Sequence, residues 1–453
     1  MSNIEIEVLS TSIIKPSSPT PSHLRTHQLS FIDQLCGHIY NPSVLFYPPQ
    51  QDINGKQLDL VEISNKLKQS LSEVLSWYYP LAGRLNRDGN DPFVDCNDEG
   101  VPYVEARVVN CKVSDIVRNP ILHELPKFVP LNLYGKVDLL LGAQLTIFDC
   151  GGIAIASCVS HKVGDGLSAL MFTKCWAAIA RGEDHDNDRF SKMLRPHFVS
   201  SKAFPPRDIS VLGVGVDIPM KNIVARRFVF EASCLEVLRS KYPKSQNKEE
   251  FSNSRRYSRI EALSALICTR YIATSLGFGG EKKRYAIGHA FNLRSKLDPP
   301  LLENSFGNIS RTIVKSLDLD LTSCGEEEMY GEVVKQMREL MNSGKEQEFV
   351  RNLEKGIDQT SNFLKDHAEE FVKGELVSFN FTSLCRFPLY EDFGFGKPSW
   401  VATNPIPYKN LIVFTDNKSC DGVEVYIDME EEDMARLERD DEFMSFVSLP
   451  AQS

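Results

Sequence analysis

The sequence predicts an α/β protein built from two domains. Strand patterns and helix patterns occur in both halves of the chain. Its 453 residues exceed what one hydrophobic core usually supports. Residues 186–206 are charged or proline-bearing and show little periodicity, which is typical of a connection between domains. We therefore expect an N-terminal domain at 1–185, a linker at 186–206 and a C-terminal domain at 207–453.

The first elements of the N-terminal half are an edge strand and a helix. Residues 4–14 alternate between apolar and polar side chains, and the proline-rich run at 15–21 cannot continue a strand. Apolar residues then recur at spacings of three and four from Leu60 to Leu75, which is one face of a helix that Tyr79-Pro80 ends. Two short strands are predicted after it, at 93–96 and 101–108.

Two apolar strands and a helix complete this half. Residues 139–150 and 153–159 form the strands, and Gly151-Gly152 between them suits a tight hairpin. A helix pattern follows at 167–180. His161 therefore stands where a strand gives way to a helix, a position that fixes a side chain yet leaves it facing a crevice. Imidazole has the unperturbed pKa best suited to proton transfer near neutral pH.

The C-terminal half begins with a strand at 226–230 and reaches a helix whose first residues form a capping box. In this motif the Ser258 hydroxyl accepts from a free amide of the first turn and the Glu261 side chain reaches back. Arg255, Arg256 and Arg259 surround this helix start. Free amides and basic side chains at a helix start attract anions, so the cluster is a candidate phosphate site; a solvated charged loop is the alternative. A helix at 329–341, strands at 411–415 and 423–429 and an acidic helix complete the half.

Composition excludes several classes of protein. The formal net charge of −10 disfavours nucleic acid as a partner. No run of eighteen apolar residues and no leader pattern occur, so we expect a cytoplasmic protein that does not span a membrane. The 11 cysteines include no C-x-x-C pair, which fits a reducing compartment. His161 and Asp165 are two ligands at most, so we expect no metal.

Two motifs in a fixed order resemble the BAHD acyl-CoA-dependent acyltransferases of plants. Residues 161–166 (HKVGDG) are similar to the H-x-x-x-D-G element of that family, and residues 392–396 (DFGFG) are similar to its D-F-G-W-G element. The resemblance extends over most of the chain. The other matching stretches are residues 14–16 (IKP), 79–84 (YPLAGR), 95–100 (DCNDEG), 258–262 (SRIEA), 292–294 (NLR) and 304–308 (NSFGN).

The resemblance implies two similar-sized mixed-sheet domains of the chloramphenicol acetyltransferase-like type with a channel at their interface. It makes His161 the general base, with Asp165 as a structural carboxylate that pairs with Arg294. Thr382 is the candidate donor to the oxyanion. Acyl-CoA is the implied co-substrate, with no permanently bound cofactor, and a small hydroxylated molecule is the acceptor of a monomeric enzyme.

Candidate contacts to coenzyme A lie in two places. Ser258 and Arg259 belong to the basic helix start. The second group, Asp392, Gly394 and Gly396, belongs to the DFGFG loop, which we expect to shape the C-terminal domain and the coenzyme A entrance, away from the thioester. The glycines permit a tight path there, and the aromatic side chains pack.

The acceptor is predicted from small departures from the family pattern. Phe395 stands where most members of the family have tryptophan, and in this respect the chain resembles the branch that esterifies sucrose with short or branched acyl groups. Leu384 replaces another common tryptophan. Sucrose or an acylated sucrose is therefore the expected acceptor, and an alkaloid or a simple alcohol is the alternative. Two other classes stay open. A carrier-protein condensation domain usually has two consecutive histidines, whereas Ser160 precedes His161 here, and an inactive binding protein would have lost the base.

Overall fold

A computed structural model gives the arrangement of most of the chain. It describes residues 4–49, 59–86, 92–133, 138–183, 188–209, 222–241, 256–277, 283–319, 325–344, 347–403 and 408–448. All structural statements below refer to these residues. Arg255 and residues 186 and 187 of the expected linker lie outside them.

Strands and helices alternate through both halves, as the periodicity predicts. The strands are β1 (Ile6–Ile14), β2 (Thr26–Gln28), β3 (Tyr40–Tyr47), β4 (Arg84–Asn86), β5 (Phe93–Asp95), β6 (Val101–Val108), β7 (Leu141–Phe148), β8 (Ile153–Ser160), β9 (His197–Phe198), β10 (Ile223–Phe230), β11 (Arg284–Asn292), β12 (Ser305–Phe306), β13 (Ser310–Leu317), β14 (Leu376–Ser383), β15 (Trp400–Ala402), β16 (Leu411–Asp416) and β17 (Val423–Glu430). The helices are α1 (Phe31–Leu35), α2 (Leu60–Trp77), α3 (Val113–Arg118), α4 (Gly166–Ala180), α5 (Asp188–Leu194), α6 (Ser200–Ala203), α7 (Ala232–Lys241), α8 (Arg259–Gly277), α9 (Glu326–Ser343), α10 (Gln347–Glu354), α11 (Gln359–Asp366), α12 (Ala368–Lys373), α13 (Glu431–Glu438) and α14 (Asp441–Phe446).

Two six-stranded mixed sheets form the framework. The first has the strand order β1-β6-β7-β8-β3-β15, with β6 and β7 parallel and the other pairs antiparallel. The second has the order β10-β17-β16-β14-β11-β13, with β14 parallel to both β11 and β16. The predicted α/β class with two mixed sheets is confirmed.

Helices cover the sheets because their apolar faces require burial. On the first sheet α4 packs against β3, β8 and α2. This position buries α4 on nearly every side, which explains its largely apolar sequence. On the second sheet α8 packs against β14 and α9, and the apolar stripe of α9 is buried as its spacing predicts. The predicted edge strand, β1, does lie at the margin of the first sheet.

The connection between the halves differs from an irregular linker. Within 188–206 the chain forms α5, β9 and α6, and β9 pairs in parallel with β12 from the C-terminal half. In the other direction, β15 leaves the C-terminal half and completes the first sheet by pairing with β3. The short elements are fixed by these pairings, which local periodicity does not record. The domain boundaries given above stay a prediction.

Within the described ranges, no helix is both long and apolar enough to cross a membrane. No group of three or more potential metal-binding side chains occurs in that same part of the chain.

Candidate active site

His161 is the first residue after β8 and is held by its main chain. Its amide donates to the Ile39 carbonyl (2.8 Å), and its own carbonyl accepts from Asn308 Nδ2 (2.7 Å). The imidazole is partly exposed and lines a cavity between the two sheets. Its buried Nδ1 atom makes no hydrogen bond within the described part of the protein. The main chain is therefore fixed while the side chain faces the cavity.

Asp165 turns the histidine loop into α4. It is the residue that caps the helix, and its Oδ1 atom accepts from the Ser168 amide (2.9 Å). Gly166 follows as the first helical residue and lines the cavity. A Cβ atom at Gly166 would approach the Leu384 side chain to 3.1 Å, so a larger residue would force Leu384 to move. The D-G pair thus combines a helix cap with a close approach between the two halves.

The carboxylate of Asp165 forms a buried ion pair with Arg294. Arg294 Nη1 and Nη2 contact the two carboxylate oxygens at 2.9 and 3.0 Å. Both side chains are almost fully buried, with 2% and 5% exposure. Burial would raise the pKa of Asp165, but the Arg294 guanidinium and the amides of Ser168 and Ile309 lower it below its usual value. Asp165 is therefore a carboxylate bound from both halves of the chain.

The cavity has a volume of about 480 Å³ and is lined by both halves. Apolar side chains form much of its wall: Leu35, Ile39, Leu167, Leu170, Phe291, Leu384, Phe387, Leu389, Leu411 and Val413. Thr382, near the end of β14, is also on the wall. Its side chain makes no hydrogen bond within the described ranges, so its hydroxyl is available as a donor. The structure thus brings His161, Thr382, Asp165 and Arg294 to the lining of one cavity.

Cys36 is a neighbour of His161 that the sequence analysis did not single out. It lines the same cavity and is partly exposed. Burial lowers the pKa of His161, but the neighbouring Cys36 side chain and the Asp165 carboxylate outweigh burial and raise that pKa to about 9. A base must be unprotonated to act, so this neighbour bears directly on the pH at which His161 can function.

The other expected site residues do not line this cavity. Ser258 and Glu261 form the predicted reciprocal cap, with bonds of 3.1 and 2.6 Å between main chain and side chain. Arg259 pairs with Asp416 at 3.1 Å, and Arg256 pairs with Glu236 at 2.7 Å. These arginines are thus engaged within the protein. A coenzyme A contact by Ser258 or Arg259 stays a prediction.

The DFGFG loop packs against the N-terminal half, contrary to its expected place in the C-terminal domain. The Asp392 carboxylate accepts from the amides of Gly394 (2.7 Å) and Phe395 (2.9 Å), and the Asp392 carbonyl accepts from Arg181. Phe393 packs edge-on against Trp176 of α4, with ring centroids 5.0 Å apart.

Glycine is required twice in this loop because Gly394 and Gly396 have φ values of 96° and 81°. The Asp392 carboxylate forms the turn by accepting hydrogen bonds from main-chain amides. The loop is held in place by Tyr47 of β3 and Trp176 of α4, which pack against its two phenylalanines. A coenzyme A contact by Asp392, Gly394 or Gly396 stays a prediction.

Comparison with known proteins decides the family. A model described as "Transferase family" matches residues 4–444. The chain belongs to the BAHD acyltransferase family. Among curated BAHD relatives it is 35% identical to stemmadenine O-acetyltransferase of Catharanthus roseus, covering 96% of this chain and 97% of the relative. It is 32% identical to a limonoid 1-O-acetyltransferase of Citrus sinensis, covering 98% and 99%.

The solved structure of vinorine synthase, an enzyme from Rauvolfia serpentina, has the same fold. The TM-score is 0.78 at 33% identity, with 98% of this chain and 99% of that chain covered. The predicted chloramphenicol acetyltransferase-like fold is therefore confirmed. As a BAHD enzyme the protein is an acyl-CoA-dependent O-acyltransferase with acyl-CoA as its co-substrate.

Loss of the Asp165 carboxylate tests the ion pair. Asp165→Ala leaves Arg294 buried without its partner, which typically costs about 3–5 kcal/mol of unfolding free energy. Urea unfolding measures this loss. The matched control is Asp149→Ala, which breaks the exposed pair with Arg107 and should cost less than about 1 kcal/mol. An Asp165→Ala protein as stable as the wild type would contradict the structural role.

The titration of His161 tests the influence of Cys36. We expect the His161 signal in NMR spectra, assigned by its loss in His161→Ala, to titrate with a midpoint of about 9. In Cys36→Ala the main raising influence is gone, so the midpoint should fall from about 9 towards the ordinary histidine pKa of about 6.5. Cys234→Ala, in the C-terminal half, serves as the control and should leave it unchanged. An unchanged midpoint in Cys36→Ala would refute the coupling.

Proposed function

We propose that this enzyme transfers a short acyl group, such as acetyl, from coenzyme A to the hydroxyl of a largely apolar alcohol of the alkaloid or limonoid kind. The observation that carries this proposal is the wall of the cavity, whose amide and charged side chains are already bonded within the protein. Asn41 donates to the Gly164 carbonyl (3.0 Å), and Arg311 forms an ion pair with the buried Asp358. Apolar side chains form much of the remaining wall.

A sugar places different demands on such a wall. It carries many hydroxyl groups, each of which loses hydrogen bonds to water unless the protein replaces them. The relatives reported above are named for stemmadenine and limonoids, and none of these names supports the sucrose or acylated sucrose acceptor expected from Phe395. The alternative alkaloid acceptor therefore becomes the preferred one.

In the proposed reaction His161 acts as the general base. Its unprotonated imidazole takes the proton of the acceptor hydroxyl as the oxygen attacks the thioester carbonyl. A C–O bond forms, and the carbonyl oxygen becomes an oxyanion that the Thr382 hydroxyl stabilises as a donor. The oxyanion then re-forms the carbonyl as the C–S bond breaks, and the coenzyme A thiolate takes from His161 the proton that came from the acceptor. Because this thiolate leaves readily, the reaction requires no covalent enzyme intermediate.

The acceptor and the base are tested together. Purified protein is given acetyl-CoA with stemmadenine, a limonoid alcohol, 1-hexanol or sucrose, and chromatography measures the released coenzyme A and the ester. We expect ester from one or more of the apolar alcohols and at least about 10²-fold less from His161→Ala. The control is His23→Ala, which changes an exposed histidine and should keep full activity.

Each other outcome has a definite meaning. Turnover with sucrose and with no apolar alcohol would contradict the proposed acceptor and support a sugar acceptor instead. Equal rates for the wild type and His161→Ala would refute the base.

The oxyanion donor is tested by Thr382→Val, which keeps the shape of the side chain and removes its hydroxyl. Loss of one such donor typically lowers kcat by about 10²–10³-fold. The KM for acetyl-CoA should change little, because the oxyanion exists only in the transition state. Thr274→Val is the matched control, since this hydroxyl lies on α8, does not line the cavity and donates to the Arg270 carbonyl (2.8 Å). A Thr382→Val enzyme with wild-type kcat would exclude this donor.

A further inference from the structure

Asn308 contacts the main chain of His161 directly. Its side-chain amide nitrogen donates to the His161 carbonyl at 2.7 Å and to Asp33 Oδ1 at 2.8 Å. The Asn308 side chain is completely buried. Two acceptors therefore use both hydrogens of the amide group and fix its orientation, so Asn308 cannot release one bond by rotating without losing the other.

Asp33 holds the Asn308 amide in place. This carboxylate is also completely buried, and it accepts from the Asn308 amide (3.0 Å) and the Ser30 amide (2.7 Å) as well as from the Asn308 side chain. The Ser30 hydroxyl in turn accepts from the Asp33 amide, so the carboxylate belongs to a closed helix cap at the start of α1. Asp33 is thus a rigid acceptor rather than a mobile surface group.

The same region also secures the residue after the histidine. Lys162 Nζ donates to the main-chain carbonyls of Asp33 (3.3 Å) and Gln34 (3.0 Å). The His161 amide donates to the Ile39 carbonyl, and the His161 carbonyl accepts from Asn308. Together with the two bonds from Lys162, four contacts therefore hold residues 161 and 162. The Asn308 contact is the one among them that comes from the C-terminal half and reaches the histidine itself.

We propose that Asn308 is a positioning residue for His161, and that the buried Asp33 carboxylate orients the Asn308 amide for this task. The inference rests on the proposed base role of His161. A displacement of about 1 Å in a reacting group can cost 10²-fold in rate. The carbonyl oxygen of His161 is two bonds from the Cα atom of that residue. A hydrogen bond that fixes this oxygen therefore also restrains the Cα atom from which the imidazole side chain extends.

This role differs from that of the ion pair. Asp165 and Arg294 hold the far end of the loop and the start of α4, whereas Asn308 holds the residue that carries the imidazole. Removing the Asn308 amide leaves both partners of the ion pair in place. We therefore expect the loss to fall on kcat more than on the binding of acetyl-CoA.

The test replaces Asn308 by leucine, which is similar in size and lacks the amide. With acetyl-CoA and the acceptor that gives turnover, kcat should fall by about 10²-fold, with the KM for acetyl-CoA within about twofold. The matched control is Asn304→Leu. Asn304 is a buried asparagine of the same stretch that donates to the Lys192 (3.0 Å) and Arg195 (2.7 Å) carbonyls. It should lose similar stability in urea and keep its kcat.

Asp33→Asn is the second variant, and it is used if Asn308→Leu does not fold. This substitution keeps the size of the side chain and leaves Asn308 intact, but it turns one acceptor oxygen into a donor group. We therefore expect a smaller loss of kcat than in Asn308→Leu, together with a shifted His161 signal in NMR spectra. Wild-type kcat in the folded Asn308→Leu or Asp33→Asn protein, or an equal loss in Asn304→Leu, would overturn the positioning role. Activity of His161→Ala separates the two hypotheses. If this variant is inactive, a negative result for Asn308 refutes the positioning role and leaves the base role intact. If His161→Ala is fully active, the base role itself is refuted.

Discussion

A buried ion pair between Asp165 and Arg294 is the interaction on which the site depends. Two charged side chains buried away from water are stable only when they pair with each other and their remaining polar atoms form hydrogen bonds. The requirement is met because Arg294 also donates to the Ser305 carbonyl, while the Ile309 amide donates to Asp165. The loop that carries His161 is therefore held to the C-terminal half by an ion pair whose separation would cost several kcal/mol, because it would leave buried charges without a partner.

This fastening explains why the cavity lies where the halves meet. The histidine loop lies between the first sheet and α4, and its bonding partners in the C-terminal half lie between β11 and β13 of the second sheet. Thr382 reaches the same space from β14. The base and the candidate donor thus belong to different halves, and the geometry between them depends on how the halves are joined. Strand β15 adds to that joint by completing the first sheet.

Local structure was predictable because local interactions determine it. The hairpin of β7 and β8, the amphipathic helices α2 and α9 and the reciprocal cap at Ser258 all follow from neighbouring residues. The short elements of the connecting segment and the packing of the DFGFG loop on α4 were not predictable in this way. Both depend on partners far along the chain, such as β12 for β9 and Trp176 for Phe393.

The sequence by itself determined the family, the reactive histidine and most of the strands and helices, because these are written in spacing and in motifs a few residues long. The tertiary structure alone decided which groups surround that histidine. Cys36 and Asp33 carry no local signal of a site. Asn308 belongs to the matching stretch at 304–308, but its contact with His161 spans 147 residues of chain. Contacts at such separations arise only when packing brings buried polar groups together and each must find a partner.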